Sequence, residues 1–386
     1  MEDRLSIIET ALRLQPRDGL RVVPASLPVP PGWQLFGKFD AAGQALHVLA
    51  RLDGAPAALR QASTKDSRHV HSGHSLTDSY TNGGIEGWPG DLMNLYQSQF
   101  GRPSQPDDLI HRRDTIPGSP MRIRWDENPT GPARFQIGSF DTLMITEAGP
   151  MFGRPTKADP TVSNETLRYL LNFAENTYLN ARDAPGEVIL WSIWPNTEGW
   201  IGFGGPNEAV WSEFGGFRGC LPEYGRCFRF FADYVTWKMH QMHPQMPAGW
   251  RIWTFPGHAW WARVYDDIQA GVVPGITDHR QLFRDDIHPN ALGEYALAVF
   301  VHTMLYQTDC RTLDYTPDPA VLSPELDLYF KRVAWDVANA EASVGMGSTA
   351  NADPVFDPAV HGDPLEGRRS APGDAAPTVP ADAVLD

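Results

Sequence analysis

Residues 69–75 bring three histidines and a serine close together. His69, His71 and His74 form an H-x-H-x-x-H pattern, and Ser75 directly follows the third histidine. Imidazole nitrogens are common metal ligands, whereas a serine hydroxyl becomes a nucleophile when a base lies within hydrogen-bond reach. The stretch therefore indicates either a metal-dependent hydrolase or a serine hydrolase.

The metal interpretation rests on a partial pattern. H-x-H-x-D-H is the pattern of the metallo-β-lactamase-type hydrolases, and this chain has Gly73 where that pattern has its aspartate. More histidines follow downstream, but their spacing is not that of a ligand set. We therefore expect no metal and no other cofactor, and a metal-dependent hydrolase using His69, His71 and His74 is the alternative.

An aspartate and a histidine far downstream supply the partners that a nucleophilic serine needs. Asp285 and His288 are three residues apart in the run FRDDIHPN, which leads into a predicted helix. This spacing lets the carboxylate reach one ring nitrogen of the histidine while the other nitrogen faces Ser75. In the structural alternative, Asp285 or Asp286 caps the helix that follows. The combination with Ser75 favours the catalytic interpretation.

The elements that position these residues alternate between strand and helix from residue 67 to 345. Nearly continuous apolar runs, such as 142–145 and 187–191, are typical of strands that are buried on both faces of a parallel sheet. The alternation predicts an α/β fold with helices on both faces, and Ser75 at the carboxyl end of its first strand. The predicted strands are 68–72, 109–116, 141–147, 187–194 and 251–256, and the predicted helices are 88–100, 163–181 with Ser163 as N-cap, 223–242, 258–270 and 290–307.

The two ends of the chain differ from this central part. Residues 1–66 are an N-terminal extension, in which 4–14 predicts a short helix and the runs WQLFGKF and ALHVLARL predict a β-hairpin. Residues 346–386 are rich in Pro, Ala and Asp. They carry too little apolar surface to order themselves, which predicts a disordered tail.

Bulk properties narrow the class of partner. The 386 residues carry a net charge of -15, which argues against nucleic acid or an anionic membrane surface, and no apolar run is long enough to span a bilayer. The N-terminal residues lack the features of a signal peptide. This predicts a cytoplasmic protein, or an exported one if the chain starts after its export signal. Cys220 and Cys227 either form a disulfide or remain free.

Two sequence blocks resemble those of the SGNH, or GDSL, hydrolases. GHSLTDS is similar to the first block of that family and DDIHPN to its last, in the same order along the chain. The resemblance spans roughly 67–310. It implies a three-layer α/β/α sandwich with a flavodoxin-like, five-stranded parallel sheet, and ester hydrolysis through an acyl-serine.

The resemblance also implies an oxyanion hole made by the serine N–H, a glycine N–H and an asparagine side chain. Gly118 in TIPGS matches the glycine, although a plain Pro-Gly turn is the alternative. The family asparagine is missing, because the third strand continues into Glu147, which is either structural or binds substrate. Asn196, after the next strand, is the candidate substitute. His74 stands where the family has an aspartate outside the triad.

These residues together predict a serine esterase with Ser75, Asp285 and His288 as the catalytic residues. Its substrate would be a small ester or an acylated carbohydrate, because the aromatic residues of Trp260–Trp261 and of 200–205 are expected to line a cleft. The missing asparagine leaves another alternative, a catalytically weak module of the same fold that binds carbohydrate.

Overall fold

A computed structural model describes residues 20–24, 33–41, 44–51, 59–77, 88–104, 108–148, 160–197, 216–346 and 355–366. The strands are β1 (Leu20–Pro24), β2 (Trp33–Ala41), β3 (Gln44–Arg51), β4 (His69–Gly73), β5 (His111–Thr115), β6 (Thr142–Thr146), β7 (Glu187–Ser192) and β8 (Trp253–Pro256). The helices are α1 (Trp88–Phe100), α2 (Met121–Asp126), α3 (Pro132–Phe135), α4 (Pro160–Asn180), α5 (Gly216–Met242), α6 (Gly257–Gln269), α7 (Ala291–Tyr306), α8 (Pro324–Ala340) and α9 (Pro358–His361).

Strands β4 to β8 form one five-stranded parallel sheet in the order β5-β4-β6-β7-β8. Every residue of β4 and β6 is buried, which explains why the central strands show so little alternation in sequence. The edge strand β5, HRRDT, is only partly buried. Its charged side chains suit an edge that would otherwise offer unpaired backbone groups to another chain.

Helices cover both faces of this sheet, so the fold is a three-layer α/β/α sandwich. Helix α7 contacts α1 and α8 in one layer, and α4 contacts α2 and α5 in the other. The chain leaves β4 toward β5 on one side, but leaves β5, β6 and β7 in the opposite direction across the sheet. Right-handed crossovers then put the two sets of helices on opposite faces. The predicted fold class is confirmed.

The N-terminal strands form a separate antiparallel sheet. Strands β2 and β3 pair as a hairpin, and β1 pairs with the other side of β3. The helix predicted for 4–14 lies outside the described residues. Arg60 belongs to the main fold, because it is buried and its guanidinium donates to Glu187 and to the backbone oxygens of Met304 and Leu305. The main fold therefore begins before the predicted boundary.

Residues 355–366 are ordered, so the predicted disordered tail is wrong for this segment. Phe356 is buried against aromatic rings of α5. Asp363 accepts hydrogen bonds from the Tyr234 hydroxyl at 2.7 Å and from Lys238 Nζ at 2.6 Å. A prediction from polar, Pro-rich composition does not detect this docking, because a few apolar side chains and one paired carboxylate are enough to hold a short segment against a helix.

Two predicted helix starts are wrong. Helix α4 begins at Pro160, so Ser163 lies inside the helix and is not its N-cap. Helix α5 begins at Gly216 and continues through Pro222, whereas the predicted helix started at residue 223. A proline inside a helix is unusual, because it removes a backbone hydrogen bond. Within the described ranges, no helix has both the length and the apolar character needed to cross a membrane.

The structure distinguishes the two alternatives for a pair of cysteines and corrects the prediction for a pair of tryptophans. Cys220 and Cys227 both lie buried on α5 as thiols and are not joined by a disulfide. Trp260 and Trp261 lie on α6 and are fully buried, so the prediction that they line a cleft is wrong. The helix turns both rings into the core. The aromatic run at 200–205 lies outside the described residues.

Candidate active site

Ser75 lies in a tight turn directly after β4. The backbone oxygen of His74 accepts from Thr77 N–H at 2.9 Å, and His74 N–H donates to Thr77 Oγ1 at 3.3 Å. A Cβ atom on Gly73 would collide with Thr77 Oγ1 and with the His71 imidazole. The turn that presents the serine therefore requires glycine at the end of the strand.

The fold sets this turn at a topological switch point. Strands β4 and β6 are neighbours, and the connections that follow them cross the sheet in opposite directions. The carboxyl ends of two such strands border a crevice, which is where ligands bind in open α/β sheets. Ser75 lies just beyond the end of β4 at this crevice.

Ser75, His288 and Asp285 form a continuous chain of hydrogen bonds, as expected from their order and spacing. Ser75 Oγ lies 2.8 Å from His288 Nε2, and His288 Nδ1 lies 2.8 Å from Asp285 Oδ2 and 3.0 Å from Oδ1. An ionised carboxylate only accepts hydrogen bonds, so Nδ1 carries the proton and Nε2 is the acceptor for the serine hydroxyl. This is the tautomer that a general base needs.

The Asp285 carboxylate is held in its ionised form. Partial burial raises the pKa of Asp285. Two backbone amides, those of His288 and Ile287, donate to Oδ1 at 2.7 and 2.9 Å, and they lower the pKa together with the His288 ring. The lowering effects are the larger, so the net shift is downward. Neither Asp285 nor Asp286 caps α7, because the Asn290 side chain accepts from amides of the first turn. The capping alternative is therefore wrong.

The acid–histidine loop, residues 283–289, is closed on itself. Phe283 and Pro289 pair as an antiparallel bridge across its base. Arg284 N–H donates to the backbone oxygen of His288 at 2.9 Å. These bonds fix the distance between the acid and the histidine, which lie within the closed segment.

The segment after β7 supports this loop from the side, a contact that sequence reasoning missed. Trp194 Nε1 donates to the backbone oxygen of Ile287 at 3.0 Å, and Thr197 N–H donates to that of Asp286 at 2.6 Å. The Trp194 ring is buried and packs against Trp261. The sequence signal for this contact was Trp194 in the run SIWPNT at the end of a buried strand, because a buried indole N–H needs a hydrogen-bond partner.

Gly118 lies in a turn that borders the end of β4. Ile116 N–H donates to the backbone oxygen of Gly73 at 3.1 Å, and Ser119 N–H donates back to Ile116 at 3.1 Å. Gly118 itself has a φ of 65°, which favours glycine. Among the described residues, neither its N–H nor that of Ser75 meets an acceptor. Both amides are therefore available for a ligand.

Asn196, the candidate third oxyanion donor, is buried in the segment after β7. The amide of the next residue, Thr197, is bonded to Asp286, so this segment borders the acid–histidine loop. The role of the Asn196 side chain as an oxyanion donor stays a prediction.

Glu147 follows β6 where the SGNH pattern has its asparagine, and its carboxylate is used inside the protein. Oε1 accepts from the amides of Met121 at 3.1 Å and Ala148 at 2.7 Å, and Oε2 accepts from Thr166 Oγ1 at 3.0 Å. Burial raises the pKa of Glu147, and the buried guanidinium of Arg124 opposes this shift. Of the two alternatives for Glu147, these contacts favour the structural one.

The three histidines of the opening motif do not converge. His69 Nδ1 donates to the backbone oxygen of Ile110 at 2.7 Å and its Nε2 accepts from Ser63 at 3.0 Å. Burial lowers the pKa of His69 to about 4 and the pKa of His71 and His74 to about 3. In the part of the chain that the structure describes, no three His, Cys, Asp or Glu residues are arranged to hold a metal ion. The metal alternative therefore lacks a geometric basis in these residues.

No protein-family model and no curated protein matches the chain. Among solved structures, the chain is similar to the crystal structure of the protein YxiM from Bacillus subtilis, with 14% sequence identity and a TM-score of 0.34. The match covers 68% of this chain and 62% of that one. A likeness at this level carries no argument about activity, so function has to be argued from the geometry of the site.

Proposed function

We propose that the protein is a serine esterase that hydrolyses carboxylic esters through an acyl-serine intermediate. One observation carries the proposal, the hydrogen-bonded chain from Ser75 Oγ through His288 to Asp285, with 2.8 Å at each step. A nucleophile, a base in the required tautomer and an ionised orienting acid are the three roles that a Ser-His-Asp triad supplies for acyl transfer. The SGNH-like order of the same residues along the chain adds to this support.

In the first half of the proposed reaction, Ser75 Oγ attacks the ester carbonyl carbon while His288 Nε2 takes the hydroxyl proton. Asp285 keeps Nδ1 protonated and offsets the charge that the imidazolium gains. His288 then returns the proton to the departing alkoxide oxygen. The C–O bond of the ester breaks, and the acyl group remains on Ser75.

Two backbone amides are proposed to stabilise the tetrahedral oxyanion. Ser75 N–H and Gly118 N–H are both without an acceptor among the described residues, and Asn196 is the candidate third donor. Loss of one oxyanion donor typically lowers the rate by ~10²–10³. An oxyanion hole with two donors would therefore give a slower enzyme than one with three.

In the second half, a water molecule gives its proton to His288 and attacks the acyl carbon. The bond from that carbon to Ser75 Oγ then breaks, and His288 returns the proton to Oγ, which releases the carboxylic acid and restores Ser75. Small carboxylic esters are the proposed substrates, and acetylated carbohydrates are the narrower class within them. The burial of Trp260 and Trp261 removes one argument for sugars, because neither ring reaches a cleft.

Hydrolysis of p-nitrophenyl acetate by the wild type and by Ser75→Ala, each with and without EDTA, tests the proposal. We expect hydrolysis by the wild type to be unaffected by EDTA and to disappear in the variant. Activity that survives in Ser75→Ala but is lost with EDTA would instead favour a metal-dependent hydrolase. A wild type that is inactive on a panel of esters would favour the carbohydrate-binding alternative.

A further inference from the structure

His74 directly precedes the proposed nucleophile, and both of its ring nitrogens are engaged within the protein. Nε2 lies 3.0 Å from the backbone oxygen of Glu147, and Nδ1 lies 3.4 Å from Leu76 N. A carbonyl oxygen only accepts and an amide N–H only donates, so the proton must be on Nε2. Burial lowers the pKa of His74 to about 3, which keeps the ring neutral in this single tautomer.

The bond to Glu147 crosses between the two central strands at the edge where the site lies. The regular pairing of β4 with β6 ends at Ser72 and Ile145. Beyond that pair, the backbone that follows β4 and the backbone that follows β6 run in opposite directions across the sheet. The His74 ring bridges this opening, so it ties the serine turn to the end of β6.

The bond to Leu76 affects which amides of the turn remain available. Leu76 N–H donates to His74 Nδ1, Thr77 N–H donates to the His74 backbone oxygen, and His74 N–H donates to Thr77 Oγ1. The N–H of Ser75 is the remaining amide of residues 74–77, and within the described ranges it has no acceptor. An oxyanion donor has to be free of competing acceptors and fixed before the reaction.

We propose that His74 is a positioning residue for the esterase reaction, because its ring clamps the turn at residues 74–77 to the end of β6. The clamp keeps Ser75 Oγ in reach of His288 and keeps the Ser75 amide directed at the oxyanion. This inference rests on the proposed function. It also gives a role to the histidine that stands where the SGNH pattern has an aspartate.

Three substitutions at residue 74 separate the two contacts. His74→Ala removes both, His74→Gln retains an amide donor near the position of Nε2, and His74→Asn retains an oxygen near the position of Nδ1. We expect kcat for p-nitrophenyl acetate to fall ~10- to 100-fold in His74→Ala, because a shift of about 1 Å is enough for such a loss. The value of kcat/KM should fall by the same factor, because misplacing Ser75 raises the barrier of the reaction without weakening substrate binding. His74→Gln should recover more of the rate than His74→Asn, because it restores the bond to Glu147.

His302→Ala is the matched control. It removes another buried imidazole, which is bonded to Gln99 Oε1 at 2.6 Å between α7 and α1. We expect both alanine variants to lose thermal stability, and only His74→Ala to lose kcat at a temperature where both are folded. The glutamine and asparagine variants provide the same comparison if His74→Ala does not fold.

The possible failures can be told apart. If the wild type hydrolyses the ester through Ser75 and all folded His74 variants keep its kcat, the positioning role is wrong and the esterase proposal stands. If His74→Gln is no faster than His74→Asn, the bond to Glu147 is not what positions the serine, and the inference fails in the form given. If the wild type shows no hydrolysis that depends on Ser75, both proposals are wrong.

Discussion

Trp194 Nε1 donates a hydrogen bond to the backbone oxygen of Ile287, 3.0 Å away. Ile287 directly precedes His288, so the proposed general base is connected to the segment that follows β7. The indole ring is buried and packs against Trp261. Trp261, which was predicted to line a substrate cleft, thus packs inside the protein against the indole that supports the acid–histidine loop.

Trp194→Phe should lower kcat while preserving the fold. The substitution keeps an aromatic ring but removes the donor to Ile287, which costs about 1 kcal/mol of stability and loosens the acid–histidine loop. Trp250→Phe is the matched control, because Trp250 Nε1 donates to the backbone oxygen of Gly186 at 3.0 Å, at the start of β7 and away from the site. Urea unfolding should show similar losses in both variants. Equal kcat values in both would show that the Trp194 bond is not needed for catalysis.

Asp285→Asn should reverse the tautomer of His288. The amide oxygen would keep the bonds from the backbone amides of Ile287 and His288 at Oδ1, so the NH₂ group would face Nδ1. The ring proton would then move to Nε2, which could no longer accept the proton of Ser75. We expect kcat to fall by ~10³–10⁴, measured with p-nitrophenyl acetate.

Asp286→Asn is the control for this substitution. The Asp286 side chain is exposed, and the backbone oxygen that binds Thr197 is unchanged by the substitution. We expect kcat to stay at the wild-type value. A wild-type rate in Asp285→Asn as well would remove Asp285 from the catalytic residues.

Glu147→Gln should reduce stability without changing KM. The carboxylate is buried and accepts bonds from Met121, Ala148 and Thr166 inside the protein, so we expect it not to contact a substrate. Loss of the charge weakens these bonds and leaves the buried Arg124 guanidinium less well compensated. We expect the free energy of unfolding to fall by about 2 kcal/mol, measured by urea titration. A clear rise in KM would instead indicate that Glu147 contacts the substrate.

Buried histidines should make the fold sensitive to acid. Burial lowers the pKa to about 4 in His69 and to about 3 in His71, His74, His258 and His302. An unfolded chain takes up protons at these residues near pH ~6.5, so below that pH the unfolded state binds more protons than the folded state. The free energy of unfolding should be greatest above this pH and decrease on acidification.

Each such histidine adds a slope of up to ~1.4 kcal/mol per pH unit between the two pKa values. Buried carboxyls with a raised pKa, such as Glu147, act in the opposite direction over part of this range. We expect the urea midpoint to fall steeply from about pH 6 to pH 4, and less steeply in His302→Gln. A midpoint that is constant over this range would contradict the prediction.

The strands of the main sheet were predictable because burial on both faces leaves a local trace in sequence. Strands β6 and β7 are almost continuous apolar runs, and all five predicted strands overlap those observed. Helix α8 was missed although its signals are local: Ser323 caps it, Pro324 opens it, and Glu325 and Asp327 lie in its first turn. The burial of Trp260 and Trp261 depends on which face of α6 meets the core, which their sequence does not specify.

The contacts of the candidate site also differ in whether sequence could predict them. Asp285 and His288 could be paired from sequence because they are three residues apart in one loop. The contact of His74 with Glu147 spans 73 residues, and it exists because β4 and β6 are neighbours in the sheet. The hydrogen bond from Trp194 to Ile287 spans 93 residues and joins the segment after β7 to the loop before α7. Contacts between strands depend on sheet order, which periodicity does not provide.

Labelling with a fluorophosphonate, followed by peptide mass spectrometry, tests most directly whether Ser75 is a nucleophile activated by His288. We expect a phosphonyl group on Ser75 in the wild type, no label in Ser75→Ala, and much slower labelling in His288→Ala, because the serine then lacks its base. Ester hydrolysis by a protein that is not labelled at Ser75, or labelling that is equally fast without His288, would contradict the proposed mechanism.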